Sequence, residues 1–230
     1  MTEQIKVDLN EYQSVTAVAY PAGSKSRAGV TLILGHGAGA GQSSGFMVSF
    51  ATELSARGID AVTFNFFYTE HGRRAPDTND KLEACYRAVI ETVRAHKRLG
   101  LNRLAIGGKS MGGRIASQVA ATGVGDLAGL VFLGYPLHPP GKPDKLRAEH
   151  LSKIKARMLF VQGSRDAFGA PDELRSIIKK LSPRADLYVV EGGDHSFKVP
   201  KSAGVTQDSV YKAVLDKVAG WLREKVQESK

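Results

Sequence analysis

The stretch Gly108-Lys109-Ser110-Met111-Gly112 holds the residue types best suited to chemistry. A serine hydroxyl is a weak nucleophile at neutral pH and needs a base to take its proton, with a third group to hold that base. Two later loops offer both. Gln162-Gly163-Ser164-Arg165-Asp166 ends in a carboxylate, and Gly192-Gly193-Asp194-His195-Ser196 carries an imidazole. The chemistry this predicts is acyl transfer. Ser110 attacks a carbonyl, His195 takes the proton and returns it to the leaving group, and Asp166 holds the imidazole tautomer. The developing oxyanion needs preorganised donors. The backbone N–H groups of Met111 and of Ala38, in the glycine-rich Gly35-His36-Gly37-Ala38-Gly39-Ala40-Gly41, are the candidates. Asp194 is the reserve acid and Asp172 a poorer one. Alone, the five-residue motif says little, because 25 of the 230 residues are glycine. A plain strand-to-helix turn that binds an anion would read the same.

Residues this far apart meet only if strands and helices bring their loops to one edge. The pattern fits. Ile5 to Leu9 and Val15 to Tyr20 alternate as two strands, and 21–28 is a polar loop. Val30 to Leu34 is a continuous apolar run, as in a strand covered on both faces. A helix follows from Phe46 to Arg57-Gly58, then a strand over Ile59 to Phe67 and a long helix over Asp80 to Leu99. Arg103 to Gly107 feeds the serine, and a helix runs from Met111 to Thr122. Further strands are expected at Leu127 to Leu133, Arg157 to Gln162 and Leu187 to Val190. Helices are expected at Pro171 to Leu181 and Val205 to Val226, with a short one within Leu146 to Ile154. This alternation predicts a three-layer α/β fold in one domain over 1–230, its sheet mostly parallel with antiparallel strands at the N-terminal edge. Ser110, Asp166 and His195 then all follow carboxyl ends of strands, where reactive groups of such sheets collect.

Serine, acid and histidine in that order resemble the α/β-hydrolase superfamily over nearly the whole chain. The narrower likeness is to the dienelactone-hydrolase-like group. Within it, the chain most resembles bacterial relatives of testis-expressed protein 30 and the hydrolase-like domain of a chromatin-complex (NSL) subunit. Gly35-His36-Gly37-Ala38-Gly39, Phe64-Asn65-Phe66, Gly108 to Arg114, Gly134-Tyr135-Pro136-Leu137, Gln162 to Asp166 and Asp194-His195-Ser196-Phe197 carry it. The resemblance implies the hydrolase fold and the triad. It says little about substrate. Dienelactone hydrolases proper use a cysteine where this chain has Ser110, so that activity is not carried over.

The expected reaction is hydrolysis of small or medium esters or thioesters, because the connection over 134–155 leaves room for only a minimal lid. The alternative is a non-catalytic or weakly catalytic interaction module on the same scaffold. Candidate substrate contacts are Lys109, Arg73, Arg74, Phe168 and Tyr135. Phe46, Met47, Phe67 and Leu137 are further candidates for the pocket wall. The basic residues Arg73, Arg74, Arg165 and Lys109 would favour an anionic ester. His36 is expected to brace the oxyanion loop. No cofactor or metal is expected, since no ligand spacing or nucleotide-binding motif is present.

The formal charge is +9, from 32 Lys and Arg against 23 Asp and Glu. It is spread along the chain, so nucleic acid is not an expected partner. No apolar run reaches membrane-spanning length. The lone Cys85 and the absence of a leader pattern point to the cytoplasm. Oligomeric state is unread.

Overall fold

The computed structural model describes residues 1–24 and 27–227. Residues 25 and 26 of the expected polar loop, and 228–230, lie outside the described residues. In chain order the elements are β1 (Glu3–Asp8), β2 (Ser14–Tyr20), β3 (Val30–Gly35), α1 (Gly45–Ala56), β4 (Asp60–Phe64), α2 (Phe67–Glu70) and α3 (Asn79–Ala95). There follow β5 (Arg103–Lys109), α4 (Met111–Ala121), β6 (Gly129–Leu133), β7 (Met158–Gly163), α5 (Pro171–Leu181), β8 (Ala185–Val190) and α6 (Gln207–Gln227). One eight-stranded sheet has the order β1-β2-β4-β3-β5-β6-β7-β8. Only β2 runs against its neighbours β1 and β4; the remaining pairings are parallel.

The continuous apolar runs are explained by the two faces. Successive strand side chains point to opposite sides. On β3, Ile33 joins a core built with α3, α4 and α5, whereas Leu32 and Leu34 join a core built with α1 and α6. Both faces are dry, so both sets must be apolar. The last helix buries Val214, Leu215, Val218, Trp221 and Leu222 in the second core. Trp221 Nε1 also donates to Asp186 Oδ2 at 2.7 Å, which ties α6 to β8.

Three expectations change. The helix expected to reach Leu99 ends at Ala95, and Leu99–Leu101 forms a separate tight turn. The strand expected to reach Phe67 ends at Phe64. The N–H of Asn65 still donates to Thr16 O on β2 at 3.0 Å, but its side chain and the N–H of Phe66 turn to the glycine loop. Asn65 Oδ1 accepts the N–H of Gln42 at 3.0 Å, and the N–H of Phe66 donates to His36 Nε2 at 3.2 Å. The segment therefore supports the glycine loop after β3. The helix expected within Leu146 to Ile154 shrinks to one tight turn over Glu149–Lys153. The β6–β7 connection thus carries no helical lid.

Candidate active site

Ser110 follows the last residue of β5 and precedes the first residue of α4. Its backbone has φ 51° and ψ −115°, a conformation that costs a non-glycine residue about 1–3 kcal/mol. The surroundings hold it there. Its N–H donates to Leu133 O on β6 at 3.1 Å, and its carbonyl accepts the N–H of Arg114 at 3.0 Å. The turn is possible because α4 begins against β3 with no side chains between them. A Cβ on Gly112 would lie 2.1 Å from Gly35 O, and one on Gly108 would lie 2.3 Å from the same oxygen. Beneath, the buried Tyr86 hydroxyl lies 2.7 Å from Gly107 O and 3.0 Å from Ile33 O, fixing β5 against β3.

The loops after β7 and β8 deliver the other two groups. His195 Nε2 is 2.8 Å from Ser110 Oγ, and His195 Nδ1 is 2.7 Å from Asp166 Oδ2. An ionised carboxylate only accepts, so Nδ1 carries the proton and Nε2 is left to accept from the serine. The Asp166 side chain is wholly buried. Its charge is met by donors: Gln162 Nε2 reaches Oδ2 at 2.8 Å, and the N–H of Phe168 reaches Oδ1 at 2.8 Å. The Phe168 ring stacks on the imidazole with centroids 4.2 Å apart. Asp194, the reserve acid, turns its Oδ1 to the N–H groups of Ser196 and Lys198 and shapes its own loop. Asp172 is exposed on α5 beside Arg175.

The loop after β3 faces the serine across the cleft. His36 is fully buried, and burial lowers its pKa, so it is neutral. It accepts the N–H of Phe66 at Nε2 and donates from Nδ1 to Gly37 O at 2.9 Å, which sets the loop's path. Among the described residues, no hydrogen-bond acceptor for the N–H of Ala38 or of Met111 is found. Both belong to residues at the wall of the space around Ser110.

The family model for the alpha/beta hydrolase domain matches residues 28–223. The chain belongs to the alpha/beta hydrolase domain family. Solved structures agree on the fold. A serine hydrolase without a lid from Xanthomonas campestris is 19% identical, covers 99% of this chain and 94% of its own, and superposes with a TM-score of 0.70. A dienelactone hydrolase from Anabaena variabilis is 16% identical, with 97% of each chain covered and a TM-score of 0.75. Est1E from Butyrivibrio proteoclasticus is 13% identical, with 97% and 99% covered and a TM-score of 0.75. A structure of Est1E also exists with ferulic acid bound.

In this α/β-hydrolase protein a cleft of about 350 Å³ opens over Ser110 and His195, walled by Phe46, Met47, Ala38 and Phe168. Lys109 borders it but is only 8% exposed, and its Nζ donates inward to His195 O at 2.7 Å. Desolvation pulls the ammonium down to about 8, against the attraction of Asp166 and Asp194. Lys109 therefore holds the histidine loop rather than facing a ligand. The other substrate-contact assignments divide. Phe168 lines the cleft. Tyr135 does not: it is wholly buried, with its hydroxyl donating to Arg147 O at 2.8 Å, because aromatic packing against Phe132 and Phe160 draws it under the sheet's edge. Leu137 is likewise core. Arg73 is taken by Asp77 at 2.7 Å, and Arg74 is exposed and does not line the cleft. Arg165 is exposed outside it too.

Sequence reasoning missed the role of Gln162. A glutamine closing the apolar run Met158–Val161 was the available signal, and it is fully buried. Its amide bridges Asp166, Gly169 O and the backbone of Tyr135, and so fixes the acid loop to the β6 loop. Among the described residues, no cluster of His, Cys, Asp and Glu is arranged to hold a metal, and no helix is long and apolar enough to cross a membrane.

Proposed function

We propose that this protein is a serine hydrolase that cleaves small or medium carboxylic esters or thioesters through an acyl-enzyme. The observation that carries this reading is the unbroken run from Ser110 Oγ through His195 to Asp166, at 2.8 and 2.7 Å, with the serine held in a strained turn at the floor of a cleft. As Ser110 Oγ bonds to the carbonyl carbon, its proton passes to His195 Nε2, and Asp166 stabilises the resulting imidazolium. The oxyanion is received by the N–H groups of Met111 and Ala38. Collapse returns the proton to the departing alcohol or thiol. Water then attacks the acyl-enzyme with His195 again as base, releasing the acid and restoring the serine.

The similarity to proteins described as serine hydrolases and esterases supports this reading. The open cleft supports substrates of modest size. A non-catalytic interaction module has no need for three polar side chains to be aligned in this way, the last of them buried. The test is labelling of the full chain with an uncharged fluorophosphonate probe. Labelling is expected at Ser110 and is expected to vanish in Ser110→Ala; labelling elsewhere, or none in the wild type, overturns the proposal.

A further inference from the structure

The space around Ser110 is divided. The apolar cleft lies on one side. On the other is a second lobe of about 220 Å³, and the two share Ala38, Ser110 and Phe168 as a common wall. A carbonyl held at Ser110 thus has a separate lobe available for each of its two substituents. The second lobe differs in chemistry, because Arg114 and Arg147 line it.

These two guanidinium groups are placed by the fold and are not neutralised. Arg114 lies on the first turn of α4, four residues after the serine, and is half-buried. Its hydrogen-bond partners are neutral amides: Nη1 donates to Gln118 Oε1 at 3.1 Å and Nη2 to Asn79 Oδ1 at 3.2 Å. Arg147 sits on the β6–β7 connection, with its N–H bonded to Leu137 O and its carbonyl to the Tyr135 hydroxyl, both at 2.8 Å. Its backbone is therefore fixed. Among the described residues no carboxylate forms an ion pair with either. Burial lowers the pKa of Arg114, and so does the positive charge of Arg147; the opposing attractions are to Tyr135 and, through space, Glu83. Two like charges beside one cavity, with no carboxylate paired to either among the described residues, are stabilised by an anion between them. Asp77 also borders this lobe: its Oδ1 is engaged by Arg73, its buried Oδ2 has no hydrogen-bond partner among the described residues, and it forms no ion pair with Arg114 or Arg147.

We propose that the lobe holding Arg114 and Arg147 receives a carboxylate on the substrate, so that the preferred substrates are esters with an apolar group on one side of the scissile bond and an anionic group on the other. This rests on the serine-hydrolase reading above. It assigns to Arg114 and Arg147 the role expected of Arg73 and Arg74.

The test uses the full chain and two matched ester pairs. One pair carries the carboxylate on the acyl side, a glutarate monoester against the valerate ester of the same alcohol. The other carries it on the leaving group, a butyrate of 4-hydroxybenzoate against that of 4-methylphenol. At low salt, the anionic member of at least one pair is expected to have a kcat/KM about tenfold or more above its neutral partner. Arg147→Gln, at an exposed position, and Arg114→Gln should each shrink that ratio about tenfold, whereas Lys179→Gln on exposed α5 should not. A ratio near one in both pairs overturns the inference. So does a ratio that all three variants lower equally, since that is general surface charge. Fluorophosphonate labelling of Ser110 separates the two readings. Labelling with no anionic preference removes this inference alone, and absence of both labelling and turnover removes the hydrolase reading with it.

Discussion

Replacing Lys109 with methionine should change stability in a way that depends on pH, with a size set by the structure. The side chain is 8% exposed, its ammonium has one hydrogen bond to His195 O, and burial takes its pKa from 10.5 to about 8. At 1.36 kcal/mol per unit, the folded state gives up about 3 kcal/mol in holding the charge at pH 7. Because the folded pKa is the depressed one, this stability is present above pH 10.5 and lost as pH falls through about 8. Methionine has a similar length and no charge. Lys109→Met also leaves the His195 carbonyl without its donor, but that loss applies at every pH and cancels in a difference. The change in unfolding free energy caused by the substitution should therefore be more favourable at pH 7 than at pH 10 by about 2–3 kcal/mol. Urea unfolding of both proteins at the two pH values measures it. A substitution effect equal at both, within about 0.5 kcal/mol, would show that the ammonium is solvated and that the argument for its burial fails.

Asp166→Asn should leave the fold intact, as read by circular dichroism, and lower kcat by about 10⁴-fold, because an amide can donate to Nδ1 and force the wrong tautomer. Ester turnover at fixed pH checks this, and a loss below tenfold counts against the assigned acid. Gly112→Ala places a Cβ 2.1 Å from Gly35 O and should cost about 3 kcal/mol or more, seen as insoluble protein or a large drop in urea midpoint. His150 is held neutral, at about 4, by burial and by Arg114 and Lys153, and lies 2.7 Å from Ser117 Oγ. Stability should fall as pH drops from 6.5 through 4, and His150→Gln should flatten that slope in thermal midpoints taken at pH 7, 5 and 4.

The parts of the site that were legible are those fixed by strand ends. Ser110, Asp166 and His195 each follow an apolar run and a glycine, and a parallel sheet sends all such loops to one edge. The layered fold was legible for a related reason: runs such as Val30 to Leu34 admit no solvated face. The placing of Tyr135, Arg73 and Arg74 was not legible. A loop residue's direction depends on which distant group it meets, and nothing local to Tyr135 says that its hydroxyl bonds to Arg147 O. Arg114, named only within the segment Gly108 to Arg114 that carries the family likeness, was not read as a site residue for the opposite reason. On a helix it reads as one more solvated cation, and only the β6–β7 connection makes it a wall of the serine's surroundings. The narrower likeness to particular relatives remains a resemblance of short segments, whereas the family extends over residues 28–223.

The contact of Gly35 with Gly112 has a further consequence for the rate of any reaction here. The two N–H groups proposed to receive the oxyanion come from separate stretches of chain, one after β3 and one at the head of α4. Backbone meets backbone at their roots, and Tyr86 is bonded across the strands beneath, so the points from which the two stretches depart are held together. Dipoles that cannot move need no reorientation when negative charge appears on the carbonyl oxygen, so the work of solvating it is done during folding and not repeated at each turnover. Water around a free ester has to rearrange every time.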